Sequence, residues 1–213
     1  MQNIPNISLI SKINTLSLPQ ILLIIKSMSE TELLLVSKSE GCTIYTIQFL
    51  SKSESEFENF YNRFKSDAEY NPDLMRIVAF INKIADIGAM ERFFRPEGKI
   101  NDRVCALPVI QSKLRLYCLR LSDRILVLGN GGIKKSRSYN EDEELNGYVL
   151  TLQKFERLVR EGEKNGTILI TTNTIETDSI VTMSATGSSF SKEIAELVHL
   201  PAEKVKKMTD SMN

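Results

Sequence analysis

The chain has 213 residues, enough for one sizeable domain with or without appendages, and its 42% hydrophobic and 25% charged residues are ordinary for a soluble globular protein. The single histidine, His199, argues against a His/Cys metal site and against a Ser-His-Asp triad, and no cofactor is called for. Formal net charge is zero but unevenly spread: residues 91–140 hold 11 of the 27 Lys and Arg and only 4 of the 27 Asp and Glu, a local excess of +7 against −7 elsewhere. Such a concentration of cations argues for an anionic partner in that stretch. The three cysteines (Cys42, Cys105 and Cys118) are odd in number, lack CxxC spacing and read as structural thiols of a reducing cytoplasm.

Residues 1–41 carry apolar runs between serine-rich joints with no clear period, and are read as an N-terminal appendage of unknown role. The most apolar run, residues 18–25, is broken by Pro19 and Gln20 and falls far short of the ~20 residues a membrane span needs. It also lacks a basic segment directly ahead of it and a small-residue cleavage site after it, so a cytoplasmic protein without a membrane role is expected.

Residues 43–50 alternate as a strand should. Ser55-Glu56-Phe57-Glu58 then has the S-x-x-E capping pattern, and Phe57, Phe60, Tyr61 and Phe64 fall on one helical stripe. Asn71-Pro72-Asp73 reads as a cap followed by proline at the first helical position. That second helix buries Leu74, Ile77, Val78, Ile81, Ile84 and Ala85 and stops at Gly88. Together the two form an αα-hairpin able to cover one face of a sheet.

Residues 92–98 are a turn-rich link and residues 103–109 a short strand ended by Pro108. The stretch that follows, residues 113–139, reads as a β-hairpin and a basic loop. Leu114, Leu116 and Cys118 share one face, and Lys113, Arg115, Tyr117 and Leu119 the other. Ser122-Asp123 turns the chain, and residues 124–129 return as an apolar strand covered on both sides. Asn130-Gly131-Gly132 is expected to end that strand, because glycine packs no side chain. Lys134, Lys135 and Arg137 follow, so the hairpin directs Arg115, Tyr117, Lys134, Lys135 and Arg137 towards one edge of the sheet.

Glu141 to Glu144 place carboxylates in the first turn of a further helix. Its apolar stripe is Leu145, Tyr148, Val149, Leu152, Phe155, Leu158 and Val159, and Asn165-Gly166 ends it. Residues 167–172 are one more strand. From 174 to 189 the composition is that of a polar linker, and residues 191–198 and 201–212 read as two short helices. The fold class is therefore α+β, with a domain at 42–173 between an appendage (1–41) and a linker with a helical tail (174–213).

In this order the chain resembles the RelE/ParE toxin superfamily, and within it the HigB-like, phage-derived branch of type II toxin–antitoxin toxins. The residues responsible are Leu114-Arg115-Leu116-Tyr117, the apolar strand 125–128, and Ile133-Lys134-Lys135-Ser136-Arg137, behind two amphipathic helices. The resemblance covers about 42–165. It implies a RelE-like fold: a small antiparallel or mixed sheet packed against an αα-hairpin, with a further C-terminal helix. Gly129-Asn130-Gly131-Gly132 stands where many relatives carry a His-Gly-Phe triplet, so an imidazole is missing there. Cys105-Ala106-Leu107-Pro108 stands where relatives often read Glu-Leu-Arg.

The implied activity is that of an mRNA interferase, an endoribonuclease that cuts message while it sits in the ribosome by attack of a ribose 2′-OH on the adjacent phosphate, without an obligatory metal. Arg115 is then expected on the phosphate, which its planar fork matches. Lys134 and Lys135 stabilise charge, Arg137 grips a neighbouring phosphate, and Tyr117 stacks on a base or donates a proton. Arg92, Arg95, Arg103 and Lys113 shape an RNA-binding rim. The partners implied are mRNA and a cognate antitoxin of helix-turn-helix type. The alternatives within the superfamily are a ParE-like protein that binds DNA gyrase, and an inactive relative that keeps only antitoxin binding. The 190–213 tail resembles two helices of a helix-turn-helix but has no third helix to complete a DNA-binding core.

Overall fold

The computed structural model describes residues 31–97, 102–109, 111–135 and 139–177. Its first element, β1 (Thr31–Lys38), pairs antiparallel with β2 (Thr43–Phe49), with Leu33 opposite Ile47. The sheet therefore begins inside the stretch expected to be an appendage, because Leu33, Leu34 and Val36 are core residues. Residues 1–30 lie outside the described residues.

Helix α1 (Glu56–Phe64) opens on the expected capping box. The Ser55 hydroxyl accepts the Glu58 amide at 3.2 Å, and the Glu58 carboxylate accepts the Ser55 amide at 2.9 Å. Its aromatic stripe is buried whole, with Phe60 edge-on to Phe64 at 5.4 Å between ring centres. Helix α2 (Asn71–Ile87) starts one residue earlier than the motif suggests: Tyr70 is the cap, Asn71 is already helical, and the Asn71 amide is used on the Lys65 carbonyl instead. Gly88, at φ 98°, ends it as expected.

A single turn of 3₁₀ helix (Glu91–Phe93) leads to β3 (Arg95–Pro96), β4 (Val104–Leu107), β5 (Leu114–Ser122) and β6 (Ile125–Ile133). The six-stranded mixed sheet has the order β1-β2-β6-β5-β4-β3, and β2 with β6 is its parallel pair. Leu114, Leu116, Cys118, Leu126 and Leu128 pack with α1 and α2 on one face. Tyr117, Leu119, Ile125 and Val127 pack on the other with Leu145, Val149 and Leu152 of α3 (Glu143–Asn165). The period of two thus feeds two cores, which is why β5 and β6 are apolar on both sides. The architecture is α+β, with the αα-hairpin on one face and the C-terminal helix on the other.

Asp142 caps α3 by accepting the Leu145 amide at 3.1 Å, and Gly166, in the left-handed region at φ 73°, ends it. A small hairpin, β7 (Ile168–Ile170) with β8 (Ile175–Thr177), follows and adds Ile168 and Ile175 to the core under α3. β8 occupies the start of the stretch expected to be linker. The tail helices and His199 lie outside the described residues. Among the described residues no helix is long and apolar enough to cross a membrane.

The largest correction is in β6. The strand does not stop at the glycines but runs through Gly129, Asn130, Gly131 and Gly132 to Ile133. Neighbouring groups stand close to all three glycines, and at Gly131 they exclude a side chain. A Cβ at Gly129 would lie 2.9 Å from Leu152 of α3, one at Gly132 would lie 3.1 Å from Leu145, and one at Gly131 would collide with the Arg115 carbonyl. The glycines let a helix and a neighbouring strand come close, rather than breaking the strand or opening a surface.

Candidate functional site

Strand β6 outlasts its parallel partner. Its pairing with β2 stops at Leu128, where the Thr46 hydroxyl donates to the Leu128 carbonyl at 3.0 Å and accepts the Phe57 amide of α1 at 3.2 Å. Beyond that point α1 faces β6. The buried Asn130 amide donates to Glu56 and Asn59, both at 3.1 Å. Arg63, in the last turn of α1, reaches past Asn130 (2.9 Å) and the Gly131 carbonyl to Glu144 of α3 at 2.6 Å, and Glu144 also accepts the Tyr148 hydroxyl at 3.0 Å. One guanidinium therefore ties α1, β6 and α3 together. Burial pushes the Tyr148 phenol up to about 12, although Arg63 beside it pulls the other way. Sequence reasoning passed over Arg63, because a polar residue in the last turn of an amphipathic helix looks like any other.

On the next strand Arg115 stands opposite Gly132, and the Lys134 amide donates to the Lys113 carbonyl at 2.7 Å. Arg115, opposite Gly132, is on the α3 face at one end of the β5–β6 pair, with Tyr117 deeper on the same side. Lys113, just ahead of β5, turns instead to Glu69 between α1 and α2. Of the expected group the strand brings together Arg115 and Tyr117, at an end of two inner strands and not at a sheet edge, and Lys134 follows directly on the end of β6.

Its exposure differs from the expectation. Arg115 is 7% exposed and Tyr117 is fully buried, because α3 and the chain around Glu97 cover that face. Arg115 Nη1 lies 3.9 Å from Glu97 Oε1, and neither atom has a hydrogen-bond partner among the described residues. Burial pushes the Glu97 carboxyl up, against the opposing effect of Arg115 and then Arg95, which lies 3.7 Å away. Burial also pushes the Tyr117 phenol up to about 12, with Arg115 beside it acting in the opposite sense. The result is a covered ion pair with one unspent donor on Arg115 and one unspent acceptor on Glu97. Glu97 had no signal of its own in Arg95-Pro96-Glu97-Gly98.

The other cations divide by use. Lys134 and Lys135 are exposed and make no ion pair with a described residue. Arg103, expected on an RNA-binding rim, is engaged instead with α3, to Glu156 at 3.2 Å and Glu163 at 2.9 Å. Lys113 is exposed and paired with Glu69 at 2.9 Å. Arg95 is exposed, and Arg92 lies over the Phe93 ring at 5.2 Å. Arg137 lies outside the described residues. The three thiols are buried and unpaired, and burial pushes Cys42 and Cys105 up to about 12 and Cys118 upward too, so they do not supply nucleophiles.

Compared with protein-family models, with curated proteins and with solved structures, the chain matches none.

Proposed function

We propose that the protein is a toxin of a type II toxin–antitoxin system with a RelE-like, HigB-type domain, and that it is a metal-independent mRNA endoribonuclease acting on the ribosome. The observation that carries this reading is the end of the β5–β6 pair, where Arg115 and Tyr117 share one face of β5 and the exposed Lys134 and Lys135 follow directly on β6. In the reaction the 2′-hydroxyl of one ribose gives up its proton to solvent as O2′ bonds to the adjacent phosphorus, and the next O5′ takes up a proton as its bond to that phosphorus breaks. Lys134 and Lys135, open to solvent, meet the phosphate first. The unused Nη1 of Arg115 is the donor for a developing phosphoryl charge, which an ionised group stabilises strongly in a water-poor setting. A cognate antitoxin is the expected partner.

The test is cleavage in a reconstituted translation system mapped by primer extension. Arg115→Ala and Lys134→Ala are each expected to lower cleavage by about a hundredfold. The burial of Arg115 and Tyr117 favours a second reading, a ParE-like protein that inhibits DNA gyrase through its surface without cutting RNA. Wild type that leaves message intact but blocks supercoiling decides for that reading. Silence in both assays leaves a scaffold whose remaining role is antitoxin binding.

A further inference from the structure

On the opposite face of the sheet, α2 and the 3₁₀ turn enclose an open groove of about 500 Å³. Phe80 of α2, Phe93 and Val109 supply its floor, with the two rings edge to face at 5.6 Å. Arg76, Lys83 and Arg92 stand around it, and no carboxylate lines it. Arg76 is held by Asp73 at 2.6 Å. Lys83 and Arg92 have no ion pair with a described residue, and both lie over the Phe93 ring, at 5.5 and 5.2 Å from its centre. The groove is therefore apolar within and cationic at the rim, where Lys83 and Arg92 have no counter-charge among the described residues.

We infer that this groove is a docking site for an acidic amphipathic helix of another protein. Such a helix offers apolar anchors at i, i+3, i+4 and i+7 for the Phe80–Phe93 floor and carboxylates for Lys83 and Arg92. The chain's own remaining termini are close to neutral, residues 1–30 carrying a net +1 and residues 178–213 a net −1, and so answer the cationic rim less well than a strongly acidic partner. RNA suits the rim but not the floor, because base stacking wants an open aromatic face and the Phe93 ring already carries two cations. The inference stands apart from the proposed nuclease reaction, which uses the face under α3.

The experiment is fluorescence anisotropy on the full chain. Its probe is a labelled peptide with leucines at i, i+3, i+4 and i+7 and glutamates elsewhere. Saturable binding is expected, weakened about tenfold in the exposed double variant Lys83→Glu with Arg92→Glu, and absent for the same peptide with lysines for glutamates. Equal binding by the double variant, or by the lysine peptide, overturns the inference. So does tighter binding of a labelled oligouridylate that the same double variant abolishes, which makes the occupant RNA. Cross-links from Lys83 to Lys204, Lys206 or Lys207 within one chain make it the protein's own tail. Self-association lost in the double variant makes it a second copy.

Discussion

Gly131 and Gly147 are both glycines within regular elements, and they call for opposite outcomes. Any side chain at Gly131 meets the Arg115 carbonyl, so Gly131→Ala must break the β5–β6 register; a loss of about 3 kcal/mol is expected in urea denaturation. Gly147, on α3, has nothing within 4 Å of where a Cβ would stand. Gly147→Ala should therefore stabilise by about 1 kcal/mol, the ordinary helical preference. Glu97 supplies the pH dependence. Its folded-state carboxyl is raised by burial, so it favours folding when protonated and that contribution is lost as pH rises through the raised value. The melting temperature of wild type relative to Glu97→Gln should thus improve as pH falls from neutrality towards 4.5, the ordinary value. A gap that stays flat, or widens the other way, means Glu97 is ionised without penalty.

Among the elements, α3 depends most on polar attachment. Glu156 is buried and bonded to Arg103 at 3.2 Å and to Arg160 of the same helix, while Gln153 holds Asp102 at 2.6 Å. Glu156→Gln keeps the shape and removes the charge that Arg103 faces. A loss of about 2 kcal/mol is expected by thermal or urea unfolding, and high salt should reduce it less than it would for an exposed pair. The elements themselves were largely legible, because their signals are local: a capping box before α1, an apolar stripe and Gly88 for α2, carboxylates and Gly166 around α3. What was not legible depended on distant contacts. The apolar run after Thr31 does not announce a strand, since its pairing is with β2. Its apolar residues divide between two distant partners, Leu33 on the α3 side and Val36 on the side of α1 and α2. The glycines of β6 read as a break because the reason for them, Leu145 and Leu152, lies on a helix more than a dozen residues on. Arg115 and Tyr117 were placed on the right face but read as exposed, since the helix that covers them has an apolar stripe that could equally have packed elsewhere.

For the molecule as a whole, the concentration of cations in residues 91–140 is partly neutralised in space. Arg103 is paired with Glu156 and Glu163, and Lys113 with Glu69, all outside that stretch. Of the cations that stay exposed without an ion pair to a described residue, Lys134 and Lys135 stand at the end of β6 and Arg92 at the groove beside α2, where Lys83 from outside the stretch joins it. Sequence position alone merges Arg92 with Lys134 and Lys135 in one basic region, whereas the fold sets Arg92 beside α2 and the two lysines at the end of β6, where they can serve different partners. The parallel pairing of β2 with β6 joins residues as far apart in the chain as Thr46 and Leu128, 82 positions. A chain that has left the ribosome only as far as β5 holds β2 with its inner edge bare, a template for pairing with another molecule. Completion of the sheet must wait for β6, and with it the seating of α3. Synthesis therefore passes through a window in which a chaperone, or a partner already present, has an open strand to hold; refolding in stopped flow should fall in the slow, millisecond-to-second class set by non-local strand pairing.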